Sequence, residues 1–288
     1  MMTDLRTVRN FGDLIMDCSV GIVGVGFVGS AVKRSFEEKG LSVKAYDKYK
    51  ESDSFEEVSQ CEVVFLNLPT PMIFNGAYDK NAIYETLEKL ENSDFCGVAV
   101  VKSTVEPGTV QNMNEKYSFF VIHNPEFLTE RTAYEDFHNQ SHIVLGIDNQ
   151  CDQTLKVLEL FRELYPKAEI SLCSSKESEA MKLFCNNFYA MKVMIFNEFY
   201  DLCEKQNMKY DNVVSLMLKN GWINPMHTMV PGPDGNLGYG GNCFVKDTEA
   251  LKEHMIRKGA MHEMVKACTM ERAELRDDNP NIIIPEDI

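Results

Sequence analysis

No run of this chain approaches the roughly 18 consecutive apolar residues that a membrane-spanning helix needs, so no span is expected. Residues 1–17 carry Asp4, Arg6, Arg9 and Asp13 and lack an apolar core run, so no signal peptide is expected either. Blocks of basic charge are also missing. The 288 residues include 29 Lys and Arg against 44 Asp and Glu, a formal net charge of −15. Such a field repels nucleic acid and anionic membranes. It does not exclude a small anionic ligand, which a local cluster or a helix N-terminus can hold. The nine cysteines (18, 61, 96, 151, 173, 185, 203, 243 and 268) form no CxxC and no Cys/His cluster with zinc spacing. An odd, dispersed set argues against a disulfide framework and points to a reducing cytoplasm, with no metal site. There is no internal repeat and no low-complexity segment.

The chain does contain a phosphate-binding turn in its full setting. Cys18 to Val23 is a short apolar run that reads as a buried strand. It leads into Gly24-Val25-Gly26-Phe27-Val28-Gly29. Ser30 to Glu38 continues at helical spacing, Gly40 ends the helix, and Leu41 to Tyr46 is a second strand ending at Asp47. Gly24 permits the tight turn, Gly26 lets a pyrophosphate approach the backbone, and Gly29 lets helix and strand pack closely. The helix N-terminus supplies unpaired N–H groups. Asp47 is placed to take both ribose hydroxyls and to repel a 2′-phosphate, so NAD is expected over NADP.

Strand and helix signals then alternate. Val63–Leu68, Gly97–Val101, Phe119–Ile122, His142–Leu145 and Ala168–Leu172 read as strands, and Lys80–Leu90 and Gln153–Leu164 as helices. Pro107 is compatible with a helix first turn. This is the pattern of a doubly wound, Rossmann-type parallel sheet, whose ligands bind beyond the carboxyl ends of the strands. Thr70, Thr104 and Glu126 fall just there.

After Ser174 the pattern becomes helical, which sets a boundary near residue 173 between a cofactor domain (1–173, with an arm at 1–17) and an all-helical domain (174–288). Lys176 to Gln206 reads as one long helix. Ala180, Leu183, Phe184, Phe188, Met191, Ile195 and Phe199 recur at helical spacing and are expected to face a core. Lys182 and Asn186, four apart, share one face. They are either a satisfied polar pair or a cation and donor for an oxyanion. Val213–Leu218 and Asp247–Ala267 read as helix, Gly221–Gly241 as a long loop, and Asp277–Ile288 as a tail. Within Gly238-Tyr239-Gly240-Gly241-Asn242-Cys243-Phe244-Val245-Lys246-Asp247, the glycines allow close backbone approach. Cys243 there is either a small buried hydrophobe or a nucleophile whose thiolate Lys246 favours, and Asp247 is a candidate base.

With these motifs assembled, and with Leu68-Pro69-Thr70-Pro71, Ser103-Thr104-Val105 with Pro107-Gly108-Thr109, and Asn124-Pro125-Glu126-Phe127-Leu128 with Glu130, the chain resembles the UDP-glucose/GDP-mannose dehydrogenase family from about Ser19 to about Met270. The resemblance implies a four-electron oxidation of a nucleotide-sugar C6 alcohol to a carboxylate, UDP-glucose to UDP-glucuronate being the expected case, with NAD as acceptor. It implies that Cys243 attacks the aldehyde and carries a thioester. Lys182 and Asn186 then stabilise the C6 oxyanion, and Asp247 acts as base through a water. Glu126 assists thioester chemistry or holds the sugar, while Thr104 and Glu130 position a water and the nicotinamide ribose. Gly24, Gly26, Phe27, Val28, Gly29, Asp47, Thr70 and Lys246 contact the cofactor, with Lys246 at its phosphates. Phe127, Leu128, Gly240 and Gly241 line the sugar. A homodimer through the helix over 176–206 is implied as well. Family members usually run longer and carry a further nucleotide-sugar-binding domain, which this chain is expected to lack; the arm at 1–17 and the Pro231–Gly235 loop also depart from the pattern. The alternatives are a two-electron hydroxyacid dehydrogenase of the 6-phosphogluconate type and a non-catalytic NAD- or sugar-binding relic.

Overall fold

The computed structural model describes residues 18–276 and 278. The arm read over residues 1–17 and all of the tail except Asp278 lie outside them. Two compact units are present. One holds residues 18–70 together with Lys80–Ala180, and the other holds Pro71–Asp79 together with the described residues from Met181 onward.

The first unit is a seven-stranded, mostly parallel sheet flanked by helices, Rossmann-like in form. Its strands are β1 Val20–Val23, β2 Val43–Tyr46, β3 Val63–Leu66, β4 Val98–Val101, β5 Phe120–His123, β6 His142–Gly146 and β7 Glu169–Cys173, in the spatial order β2-β1-β3-β4-β5-β6-β7. Its helices are α1 Phe27–Glu38, α2 Phe55–Ser59, α3 Asn81–Glu91, α4 Thr109–Lys116, α5 Ala133–His138 and α6 Asp152–Leu164. The central strands are apolar on both faces because both faces are covered. Val63 and Phe65 pack with Phe36 of α1 and Phe161 of α6, while Val64 and Leu66 pack with Ile83 and Leu87 of α3. The Phe36 and Phe65 rings meet edge-on at 5.3 Å, a preferred aromatic arrangement.

The sheet is largely parallel, as expected, with one exception, and one helix starts later than expected. β5 and β6 are antiparallel, paired only at His123 with Gly146. Pro107 stands outside α4, whose N-cap is Gly108 at φ 98°.

The second unit is built on α7 (Ser175–Lys205, which passes from the first unit into this one at Ala180–Met181), with α8 Tyr210–Leu218, α9 Phe244–Lys258 and α10 Glu263–Leu275. The single helix read over Asp247–Ala267 is two. Gly259 adopts φ 66° and ends α9, donating its N–H to Ile256, and Ala260 donates back to Met255. This is a glycine stop of the usual left-handed kind. Pro71–Asp79 forms a small hairpin, with Met72 bridged to Tyr78 and Gly76 in the turn at φ 75°.

The expectation that the apolar residues of α7 face a core also needs correction. Leu183 is buried, but Phe184, Phe188, Ile195 and Phe199 are 37–62% exposed. A helical stripe marks only that apolar residues share a face, and here much of that face is left uncovered. All nine cysteines are free thiols. Among the described residues no helix is long and apolar enough to cross a membrane.

Candidate active site

In the Rossmann-like unit, the turn after β1 is held by contacts that forbid side chains at two of its glycines. A Cβ on Gly24 would stand 2.5 Å from the Asn67 carbonyl oxygen, and one on Gly29 only 1.9 Å from the Gly24 oxygen. Gly26 differs, because a Cβ there would meet nothing within 4 Å. Gly26 is also the N-cap of α1 and offers no side chain to the first-turn amides. Open backbone at a helix N-terminus is what a pyrophosphate needs. Phe27 and Val28 follow in the first turn, Phe27 being exposed. Asp47 at the end of β2 accepts the Val25 N–H at 2.7 Å and the Tyr49 N–H at 2.9 Å. Partial burial works against its charge, but those two amides and Lys50 outweigh it, and its carboxyl is held below the ordinary value. Each carboxylate oxygen retains a further lone pair for a ribose hydroxyl. These residues fit a dinucleotide.

The ends of β3, β4 and β5 are laced together in the same unit. The Thr70 hydroxyl donates to the Thr104 carbonyl at 2.9 Å, and the Ser103 hydroxyl donates to the Leu68 carbonyl at 2.6 Å. Glu126 turns its carboxylate onto the Leu128 N–H at 2.6 Å. Phe127 is exposed, Leu128 packs against the core, and Glu130 is exposed at the start of a 3-10 turn, Glu130–Thr132.

In the helical unit, Cys243 is partly exposed and is the N-cap residue of α9. A helix N-terminus favours a thiolate. One turn on, the Asp247 N–H donates to the Cys243 carbonyl at 3.0 Å. Asp247 is wholly buried, and it gathers the unit's polar side chains. Asn186 of α7 donates through Nδ2 to Oδ2 at 2.6 Å, and Lys246 reaches Oδ1 at 2.7 Å. Asn187 donates to the Asp247 carbonyl at 2.9 Å. Lys182 is buried one helical turn before Asn186 on α7. Gly241, at φ 79°, faces open space. Gly240 does not, since the Arg276 guanidinium lies 2.5 Å from where its Cβ would be.

Several residues here carry no motif. Arg272, buried on α10, donates through Nε to the Tyr239 carbonyl at 3.1 Å, and Arg276 pairs with Asp234 at 2.7 Å. Together they fasten the glycine segment and the Pro231–Gly235 loop. Tyr78 reaches Asp247 from the hairpin. Asn75-Gly76, a hairpin dipeptide, was the one signal that could have located that turn. In the Rossmann-like unit, buried Glu179 accepts the N–H groups of Gly108 at 2.5 Å and Val110 at 2.7 Å, closing the α4 N-terminus.

Comparison with known proteins bears on both units. Residues 44–169 match the NAD binding domain of the UDP-glucose/GDP-mannose dehydrogenase family, and residues 176–271 match the central domain of the same family. A UDP-glucose 6-dehydrogenase of Rickettsia bellii is 31% identical over 255 residues, covering 81% of this chain and 55% of that protein. The chain spans about half the length of the curated relatives it matches. Among solved structures, a UDP-glucose dehydrogenase of Pyrobaculum islandicum superposes with a TM-score of 0.78 at 24% identity, covering 89% of this chain and 68% of that one. A Mycobacterium tuberculosis 3-hydroxyisobutyrate dehydrogenase superposes at 0.72 and 17% identity, covering 92% and 96%. At these identities the superpositions speak for the fold alone. The family matches cover the cofactor turn's second strand, the strand-end loops and the Cys243 segment in one order, and the chain belongs to the UDP-glucose/GDP-mannose dehydrogenase family.

Proposed function

We propose that this chain is an NAD-dependent nucleotide-sugar 6-dehydrogenase that takes a C6 alcohol through the aldehyde to the carboxylate. UDP-glucose is the first substrate to test, since the Rickettsia bellii relative carries that name. The observation that supports the reading is the buried Asp247, which joins the first turn after Cys243 to the Asn186 amide of α7. In the proposed chemistry the Cys243 thiolate adds to the C6 aldehyde and forms a C–S bond. Loss of hydride from that carbon leaves a thioester, and water then cleaves the C–S bond, returning the thiol and releasing the carboxylate. Bound NAD supplies the hydride acceptor for both oxidations. Lys182 and Asn186 offer a cation and an N–H donor to the C6 oxygen. Glu126 and Thr104 are assigned to the attacking water, Glu130 to the nicotinamide ribose, and Phe127, Leu128 and Gly241 to the sugar. Lys246, expected at the cofactor phosphates, is paired with Asp247 in this structure, and we assign it to that carboxylate.

The exposed stripe of Phe184, Phe188, Ile195, Phe199 and Leu202 on α7 supports a homodimer through that helix. We propose a domain boundary near residue 173, where the last strand ends.

Counting NADH per sugar tests the reading. Two NADH per nucleotide sugar is the expected result, and Cys243→Ser should stop after the first oxidation. One NADH per substrate, with a hydroxy acid rather than a nucleotide sugar, would favour the two-electron alternative that the shared fold permits. No NADH from any nucleotide sugar sinks the proposal.

A further inference from the structure

Tyr78 enters the Asp247 group from a segment that no motif marks. The hairpin Pro71–Asp79 closes on itself through the Ile73 N–H to the Ala77 carbonyl at 2.9 Å and the Asp79 N–H to the Pro71 carbonyl at 2.8 Å. It delivers the Tyr78 ring, 3% exposed, into a core cluster with Leu183 of α7, Ala250 and Leu251 of α9 and Val265 of α10. The Tyr78 hydroxyl donates to Asp247 Oδ1 at 2.6 Å. Lys246 Nζ shares that oxygen and lies 4.7 Å from the centre of the Tyr78 ring, within cation–π range.

We propose that Tyr78 is a positioning residue of the Cys243 site, holding Asp247 as a fixed anion against which Asn186 and Lys246 are oriented. The inference rests on the dehydrogenase reading above and adds the 71–79 hairpin to its machinery. A carboxylate has about four lone-pair sites, and three donors occupy them here: Tyr78 and Lys246 on Oδ1, Asn186 on Oδ2. Burial opposes the charge of Asp247, but the Lys246 cation and the hydrogen bonds of Lys246, Tyr78 and Asn186 outweigh it, so its proton affinity is depressed. An anion held by three donors is a weak proton acceptor. Its work is electrostatic. It fixes one hydrogen of the Asn186 amide, and the second hydrogen on Nδ2 is thereby aimed for use by a developing oxyanion. On this proposal Asp247 serves as a fixed anion where the resemblance implies a base.

Tyr78→Phe removes only the hydroxyl and keeps the ring in its core. With NAD and UDP-glucose, kcat is expected to fall by about tenfold while KM for both stays within about twofold, the pattern of an interaction used in the transition state. In parallel, the Asp247 carboxyl carbon is followed by 13C NMR and assigned by its loss in Asp247→Asn. Its titration is expected to move up by about one pH unit when one donor is gone. Unchanged kcat, or a loss confined to KM or to melting temperature, overturns the proposal. If the wild-type protein makes no NADH from any nucleotide sugar, the dehydrogenase reading fails on its own. The carboxyl titration then decides whether Tyr78 holds Asp247, and an unmoved resonance overturns that hold.

Discussion

Glu179→Gln isolates a buried carboxyl whose charge the fold resists. Glu179 is wholly buried, and burial pushes its carboxyl from the ordinary 4.5 up to about 7. The N–H groups of Val110, Gly108 and Thr109 pull the other way and Asp148 adds to the rise, but desolvation dominates. The folded protein therefore keeps a proton that the unfolded chain releases. Stability from this group is fully present below about pH 4.5, declines as pH rises, and is lost once pH passes about 7. One pH unit across that window corresponds to about 1.4 kcal/mol. Summed from about pH 5 to about pH 8, the wild-type protein should lose about 2.5 kcal/mol on account of Glu179. Glutamine does not titrate, so the variant should lack this component. It supplies one acceptor oxygen for two backbone donors, which costs a constant 1–3 kcal/mol or so at every pH. Urea unfolding of both proteins at intervals across the window gives the difference directly. A stability difference, wild type minus variant, that falls by about 2.5 kcal/mol toward high pH is the expected result, with a change of sign where the constant cost is the smaller of the two. A gap that stays constant refutes the reasoning, because it would mean that the two α4 amides already hold Glu179 as an ordinary carboxylate.

The two kinds of glycine in the cofactor turn should separate on substitution. Gly29→Ala drives a Cβ into the Gly24 carbonyl and should lower both melting temperature and NAD affinity. Gly26→Ala meets open space and should weaken NAD binding, read by titration calorimetry, with little change in melting. Asp47→Asn removes the charge expected to repel a 2′-phosphate and should raise the NADP-to-NAD ratio of kcat/KM by about tenfold or more. Phe188→Glu places a charge at a 62%-exposed position of the α7 stripe and should yield a folded monomer by sedimentation, under conditions where the proposed homodimer is the expected result for the wild type.

The order of strands and helices in the first unit was readable because its signals are local. The β1 run, the glycine turn and Asp47 lie within thirty residues, and Gly24 and Gly29 each have a steric reason to be there, while Gly26 leaves the backbone open. The antiparallel β5–β6 pairing was not readable. The strands are short apolar runs that look the same in either direction, and the connection between them holds a 3-10 turn and the six-residue α5. The break at Gly259 was missed because Arg257, Lys258 and Met261 suit a helix, although a glycine after two basic residues is itself a stop signal. On α7 periodicity found the apolar face but not what covers it. At the site, Lys182, Asn186, Cys243 and Asp247 stood out as polar groups in apolar or glycine-rich surroundings. Tyr78 belongs to no motif, and only the fold puts its hydroxyl 2.6 Å from a carboxylate 169 residues away.

The hairpin has a practical bearing on how this chain can be recombined with its relatives. A chimera joined at residue 173 would graft a helical half onto a foreign cofactor half and leave Pro71–Asp79 behind with the wrong parent. The grafted half would then lack the ring that fills the space among Leu183, Leu251 and Val265, and would inherit whatever residue the donor has at that place. Exchange between homologues at this junction should therefore succeed only when the nine-residue insert travels with the helices it packs against, as a split cassette rather than a single block.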